Sequence, residues 1–232
     1  MISIVIPVYN TPIEFIKECV DSINSQTFKQ YEVILINDGS NEVVSNFLKT
    51  LVKENWYLFE KEKEGISKAL NLGIQNSKFN LICRMDADDI MLPERLQKQF
   101  DYFQENNIDI LGAQMELFGK SSSITSHPVE VPIDVMRYKD WFMNHPTIMF
   151  KKESILKVGG YNPEFDGTED LELWCRSLAN GLILKNLTDI IVRHRRHDDN
   201  ATSRNNMSEI LSKNAQLRNY YLNVIYSQNK PL

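Results

Sequence analysis

Polar and apolar positions along the chain fall into short blocks with two alternating periods. Residues 2–8 are apolar and mostly β-branched at nearly every position. A run that is apolar on both faces is a strand buried on both faces, as in a parallel sheet. It ends in Pro7-Val8-Tyr9-Asn10-Thr11-Pro12, and Pro12 suits the first turn of a helix. That helix carries Ile13, Ile16, Val20 and Ile23 at three- and four-residue spacing. Residues 31–36 repeat the strand pattern and close at Asn37-Asp38-Gly39-Ser40, a tight-turn composition. A helix over 42–54, a strand over 56–59, a helix over 64–76 and a strand over 79–85 follow. Strand and helix alternating at this spacing predict a Rossmann-like α/β fold. Its sheet is doubly wound and mostly parallel, with helices on both faces and right-handed crossovers.

Beyond Pro93 the pattern predicts a helix to 106 and a strand over 109–114. Residues 119–132 are polar and serine-rich and read as a mobile loop, either a lid or an acceptor-facing segment. A helix over 134–144, a strand over 147–150 and a helix over 152–158, closed by Gly159-Gly160, come next. Thr168-Glu169-Asp170 opens a strong helix that ends at Gly181. Two strands over 182–187 and 190–195 precede a tail helix over 206–226, with Leu211, Ala215, Leu222 and Ile225 on one side. No internal repeat or linker interrupts the chain. The expected organisation is one domain over 1–204, with a nucleotide-binding half (1–114) and an acceptor-binding half (115–204), and a C-terminal helical extension over 205–232. The tail helix is expected to pack on the domain or on a second copy, which would make a homodimer. Its few lysines do not suit a basic membrane-surface helix.

Composition narrows this picture little. Of 232 residues, 42% are hydrophobic and 25% charged, which is ordinary for a globular chain and argues against disorder. A net charge of −5 argues against nucleic acid as a partner. Cys19, Cys83 and Cys175 lie far apart in apolar or helical contexts and read as small buried hydrophobes in a reducing compartment. No apolar run reaches membrane-spanning length, and no basic-then-apolar leader opens the chain. The expected location is the cytoplasm, with peripheral association at the inner face of the cell membrane as its limit.

The candidate chemistry sits where Leu81-Ile82-Cys83-Arg84-Met85 runs into Asp86-Ala87-Asp88-Asp89. In open α/β sheets ligands bind beyond the carboxyl ends of the strands. The turns at Asn10, Asp38, Asp86 and Asp88 should therefore share one rim. Clustered carboxylate oxygens suit Mg²⁺ or Mn²⁺ with substrate phosphates completing the shell. The plainer alternative is a solvated turn before a helix.

A run of motifs in order separates these readings. They are Ile4-Val5-Ile6-Pro7-Val8-Tyr9-Asn10, Ser22-Ile23-Asn24-Ser25-Gln26-Thr27 and Val33-Ile34-Leu35-Ile36-Asn37-Asp38-Gly39-Ser40. Gly65-Ile66-Ser67-Lys68-Ala69-Leu70-Asn71-Leu72-Gly73, Met85-Asp86-Ala87-Asp88-Asp89 and Gly167-Thr168-Glu169-Asp170 follow. Together they resemble family 2 glycosyltransferases of the GT-A fold, of the bacterial surface-polysaccharide type. The resemblance implies a nucleotide sugar, above all a UDP-sugar, held by Pro7, Val8, Tyr9, Asn10 and Asp38, with Lys68, Asn71, Arg84, Asp86, Ala87 and Asp88 beside them. It implies Mn²⁺ or Mg²⁺ on Asp88 and His197, with His194 as the other candidate for the histidine. Asp170 takes the place of the catalytic base. Trp141, His145 and Glu169 fall to a glycan or lipid-linked glycan acceptor. Arg195 to Thr202 resembles a late Arg-x-His-x-x-Asn element, loosely matched. Lys68 departs from the small residue usual after Ser67, and the absence of a Gln-x-x-Arg-Trp element and of membrane spans disfavours a processive synthase.

The chemistry implied is inverting transfer. A divalent ion neutralises the diphosphate leaving group, and a base takes the proton of the acceptor hydroxyl. Asp170 opens a helix whose dipole favours its ionised form. Arg195, Arg196 and His197 add positive charge to an otherwise acidic protein. Two other functions stay open on residues alone. A sugar-nucleotide nucleotidyltransferase needs a Gly-rich basic loop after the first strand, and Pro7 to Thr11 has neither Gly nor Lys. A silent sugar-nucleotide-binding module fits the acid set less well. Locally, Thr168 to Asp170 also reads as an ordinary helix start, Trp141 and Trp174 as core, and the arginines of 193–196 as a solvated edge strand.

Overall fold

The computed structural model describes residues 1–197 and 207–228. The first half alternates as the sequence predicts: β1 Ile2–Val8, α1 Ile13–Asn24, β2 Tyr31–Asp38, α2 Glu42–Thr50, β3 Trp56–Lys61, α3 Ile66–Asn76 and β4 Leu81–Arg84. These strands lie in the order β3-β2-β1-β4 and are parallel throughout. Within each all-apolar strand, alternate side chains enter opposite cores. Val5, Ile34, Ile36 and Ile82 face α3, while Ile4, Ile6, Val33, Leu35 and Cys83 face α1 and α2. The period of two inside an unbroken apolar run thus produces the two-sided winding.

The second half extends the same sheet through β5 Ile90–Met91, α4 Arg95–Glu105, β6 Ile110–Gly119, β7 Ser123–Ile124, β8 Met149–Lys151, α5 Lys152–Lys157, α6 Glu169–Ala179 and β9 Leu184–Arg196. The order continues β4-β8-β6-β9-β5, with β7 on β6. Here pairing is mixed: β6 and β9 are parallel, while β8 runs antiparallel to both β4 and β6, and β5 antiparallel to β9. A three-residue strand entered from a loop has its direction set by its neighbours, not by periodicity. Below the end of β4, Arg95 is fully buried, and its guanidinium donates to the Arg84 carbonyl at 2.8 Å and to Gln99 Oε1 at 3.1 Å.

Three local expectations change. The two late strands are one, β9, because the polar Thr188-Asp189 break is a register irregularity against β6 and not a turn. Only Ile133–Arg137 of the expected helix over 134–144 is helical, as a 3₁₀ segment. The chain then leaves helical geometry to bury Phe142 and Met143 in the core. The polar segment over 119–132 is tied down: β7 pairs with β6, the Thr125 amide donates to Met115 O at 3.0 Å, and the His127 amide to Gln114 Oε1 at 2.8 Å.

The tail helix, α7 Met207–Gln228, packs on its own domain, burying Leu217, Leu222 and Ile225 against α6. Arg218 pairs with Asp140 at 2.6 Å, and the Tyr221 hydroxyl donates to the buried Glu172. The expected boundary at 204 lies outside the described residues. All three cysteines are free and buried. Among the described residues no helix is long and apolar enough to cross a membrane.

Candidate active site

At the carboxyl ends of β1, β2 and β4 the sheet opens into a cleft of about 1190 Å³. One wall comes from Pro7, Val8, Tyr9, Asn10, Asp38, Arg84, Asp86 and Asp88, with His197 against Asp88, the other from Trp141, His145, Glu169 and Asp170. Thirteen positions singled out from the sequence thus meet in one cavity, although they are spread from β1 to the end of β9. Lys68, Asn71 and Ala87 do not line it. Lys68 points outward to Glu64 at 2.7 Å. Asn71 clamps the backbone of Tyr161, donating to its carbonyl at 2.7 Å and accepting from its amide at 2.9 Å. Ala87 is buried in the core beneath the acid turn.

The β1 and β2 turns are built as one unit. Asn10 adopts a left-handed conformation (φ 51°), its amide donates to Ser40 Oγ at 3.0 Å, and its Oδ1 accepts the Asn41 amide at 2.8 Å. Asp38 is buried and fully engaged. Its carboxylate accepts Lys61 Nζ at 2.6 Å and the amides of Glu64 and Gly65 at 3.0 Å each. Its local effect is to shape the 61–65 loop, which brings Lys63 and Gly65 to the cleft. Neither lysine stands out in the sequence, because a cation after a short strand carries no local signature.

The acid turn is gripped from two sides. The Cys19 thiol of α1 lies 3.3 Å from the Asp86 carbonyl, and Arg195 Nε donates to the Asp88 carbonyl at 3.0 Å. Arg195 also pairs with Glu18 at 2.7 Å and lies over the rings of Phe15 and Phe118. Arg84, buried at the end of β4, donates to Asp86 Oδ2. His197 Nε2 lies 2.9 Å from Asp88 Oδ2, so these two predicted partners are in direct contact.

Asp89 is the residue the motif reading passed over. It is fully buried, accepts the Arg195 amide at 2.9 Å, and lies 2.9 Å from His194 Nδ1. Burial pushes its carboxyl up to about 6, against the pull of His194. Burial opposes charge on His194 as well, but Asp89 outweighs it and raises the imidazole net. Asp86, Asp89 and His194 each offer an atom within 4.8 Å of the others. Asp89 is held beneath the turn by the Arg195 amide and His194 and does not line the cleft, which leaves Asp86 and Asp88 as the turn's carboxylates that do.

Across the cleft, α6 begins with Glu169 and Asp170. The Gly167 amide donates to Glu169 Oε2 at 2.6 Å, and His145 Nδ1 lies 3.7 Å from Oε1. Burial, and then the neighbouring Asp170 charge, push the Glu169 carboxyl up to about 7. Asp170 Oδ1 accepts the Leu171 amide at 2.7 Å. The helix start was expected to hold Asp170 ionised, but burial dominates and raises its carboxyl, with the Leu171 amide and Arg84 pulling back. His145 is held neutral by burial, then by Arg84, and its Nε2 lies 2.9 Å from the Tyr161 hydroxyl.

The Glu169 shift has a testable consequence. With its folded value near 7 and its unfolded value in the ordinary carboxylate range, ionisation of Glu169 opposes folding. The penalty is absent in acid, grows as pH rises towards 7 and is constant above. Glu169→Gln keeps an acceptor for the Gly167 amide and removes the charge. It is expected to stabilise the protein by roughly 2–3 kcal/mol at pH 8 and by little at pH 4.5. Thermal unfolding at the two pH values measures it; equal effects at both would mean Glu169 titrates normally.

Comparisons with known proteins bear on this cleft. The model named Glycosyl transferase family 2 matches residues 3–159, which carry the cleft residues from Pro7 to Asp88 together with Trp141 and His145. The O-antigen biosynthesis glycosyltransferase WbnJ of Escherichia coli is 32% identical over 207 residues, 85% of this chain and 80% of its own. The UDP-Gal:α-D-GlcNAc-diphosphoundecaprenol β-1,3-galactosyltransferase of the same species is 31% identical over 226 residues, covering 93% of this chain and 81% of its own. In fold, the crystal structure of S. aureus TarS 1-349 in complex with UDP-GlcNAc superposes with a TM-score of 0.77 at 17% identity, over 97% of this chain and 72% of that one. Sheet order, cleft and sequence agree: the chain is a GT-A-fold enzyme and belongs to glycosyltransferase family 2.

Proposed function

We propose that the protein is an inverting, divalent-metal-dependent transferase that moves a sugar from a UDP-sugar to a lipid-linked glycan during surface-polysaccharide assembly. The observation that carries this reading is the meeting of Asp86, Asp88 and Asp170, from segments far apart in sequence, in one cleft, with His197 in contact with Asp88. The donor class is supported by the UDP-Gal named for one relative and the UDP-GlcNAc in TarS, the acceptor class by the diphosphoundecaprenol-linked sugar of that relative.

In this reading residues 1–114 hold the nucleotide. Pro7 to Asn10 and the loop that Asp38 shapes form its cradle. Asp88 and His197 would hold Mn²⁺ or Mg²⁺, with Asp86 beside them. Carboxylate oxygens with one imidazole suit either ion. When bound, it neutralises charge on the diphosphate. Residues 115–204 hold the acceptor, with Trp141, His145 and Glu169 on its side of the cleft. Asp170 takes the proton as the acceptor oxygen bonds to the anomeric carbon and the bond to the diphosphate breaks. Attack opposite the leaving group inverts that carbon. Burial makes Asp170 a stronger base than a solvated aspartate. A lipid-linked acceptor places the protein peripherally at the inner membrane face.

The test is a panel of UDP- and GDP-sugars with Mn²⁺, followed by thermal stabilisation and by transfer to alkyl-diphosphate glycosides of GlcNAc, GalNAc, glucose and galactose. Stabilisation by one UDP-sugar and a product of inverted configuration are expected. Release of pyrophosphate from a nucleoside triphosphate and a sugar phosphate would instead identify a nucleotidyltransferase.

A further inference from the structure

The family match ends at residue 159, yet the cleft does not. The tail helix α7 contributes Ile210 and Asn214 to its lining. Ile210, Asn214, Leu217, Tyr221 and Ile225 recur at four- and three-residue spacing, the inward stripe of an amphipathic helix. Leu217 and Ile225 fill the core. Asn214 stands in the same stripe and is only 2% exposed, but its Oδ1 has no hydrogen-bond partner among the described residues. Buried amide groups are almost always paired, because an unpaired one bears its full desolvation cost. A leucine here would continue the stripe and leave nothing unsatisfied. Among the described residues, unpaired buried atoms also occur at Trp174, Ser177 and Arg218 on α6 and α7, so the missing partner does not by itself account for the asparagine.

Its place in the cleft does. One turn further on, Arg218 pairs with Asp140 at 2.6 Å, which fixes α7 against the segment carrying Trp141. Trp141 lines the cleft and is 40% exposed there. The nucleotide-side wall is built by the turns after β1, β2 and β4, whereas Asn214 and Trp141 line the cleft from other elements. A half-open indole with a carboxamide that both donates and accepts matches a pyranose, which has an apolar C–H face and a hydroxyl edge.

We propose that Asn214 is a specificity residue for the acceptor: its carboxamide binds a hydroxyl of the acceptor sugar, on the wall it shares with Trp141. The assignment rests on the transferase reading above. It makes α7 part of the substrate site.

The experiment uses the full chain, the UDP-sugar selected by the panel and the alkyl-diphosphate glycoside the wild type accepts. Asn214→Leu should raise the acceptor KM roughly 3–10-fold, the effect of one lost hydrogen bond. It should leave donor affinity and the fold intact, with a Tm equal to or above wild type. Asn214→Ser, which keeps a hydroxyl, should fall between. An unchanged acceptor KM with a lowered Tm would make Asn214 structural and overturn the assignment. So would a raised donor KM with the acceptor KM unchanged. A wild type that transfers to none of the glycosides from any donor would overturn the lipid-linked-acceptor reading, and this assignment with it.

Discussion

Asp170→Asn is expected to lower kcat about 10³-fold while UDP binding and its response to Mn²⁺ persist. A positioned base contributes on the order of 10²–10⁴-fold, and an amide cannot take the acceptor proton. The substitution is isosteric, and its Oδ1 can still accept the Leu171 amide that Asp170 accepts at 2.7 Å. The start of α6 should therefore keep its geometry. The pH dependence supplies a second readout. Burial raises the Asp170 carboxyl, so the wild type should lose activity on the acid side at a pH above the usual aspartate range. The residual rate of the variant should lack that limb. Full activity in Asp170→Asn would remove this residue from the mechanism. Glu169, adjacent and pushed up to about 7, would then be the carboxylate to test as base.

Asp88→Asn should act on the other wall. Its Oδ1 can still meet His197, now 2.9 Å from Asp88 Oδ2, so β9 should stay in place. What is lost is a negative charge facing the cleft, and with it the reason for a divalent ion to bind. UDP binding in the presence of Mn²⁺ is expected to weaken roughly 10–100-fold or more, since even outer partners of a metal site carry effects of that size. Binding measured without added metal should change much less, because the cradle proposed for the nucleotide, Pro7 to Asn10 and the 61–65 loop, is untouched. If Mn²⁺ strengthened UDP binding equally in both proteins, Asp88 would not be a ligand.

Both substitutions probe residues that local sequence could nominate. Asp170 lies in the first turn of a helix, three residues after Gly167, and Asp88 sits where an apolar strand stops. The pairing of Asp89 with His194 could not be nominated in that way. It joins positions 105 residues apart, through a two-residue strand, β5, too short to leave a periodic trace. The surroundings of Asp170 are illegible in the sequence for a related reason. The helix dipole is legible from sequence, while burial between the walls of a cleft is not, and burial is the larger effect. Lys68 and Asn71 illustrate the converse. Both lie in a family-like motif beside the site, but the helical phase of α3 turns Lys68 to solvent and Asn71 to the Tyr161 backbone.

By itself the sequence determined the parallel half of the sheet, the two-sided core and the turns that bear carboxylates, because periodicity and turn chemistry act over a few residues. The tertiary structure decided the antiparallel placement of β8, the joining of two expected strands into β9, and the packing of the tail helix on its own domain. It also decided which carboxylates face the cleft and which stay under it, and it brought Asn214 to the cleft. Each of those outcomes depends on contacts between segments distant in the chain, where burial and charge are set by neighbours that no local pattern names.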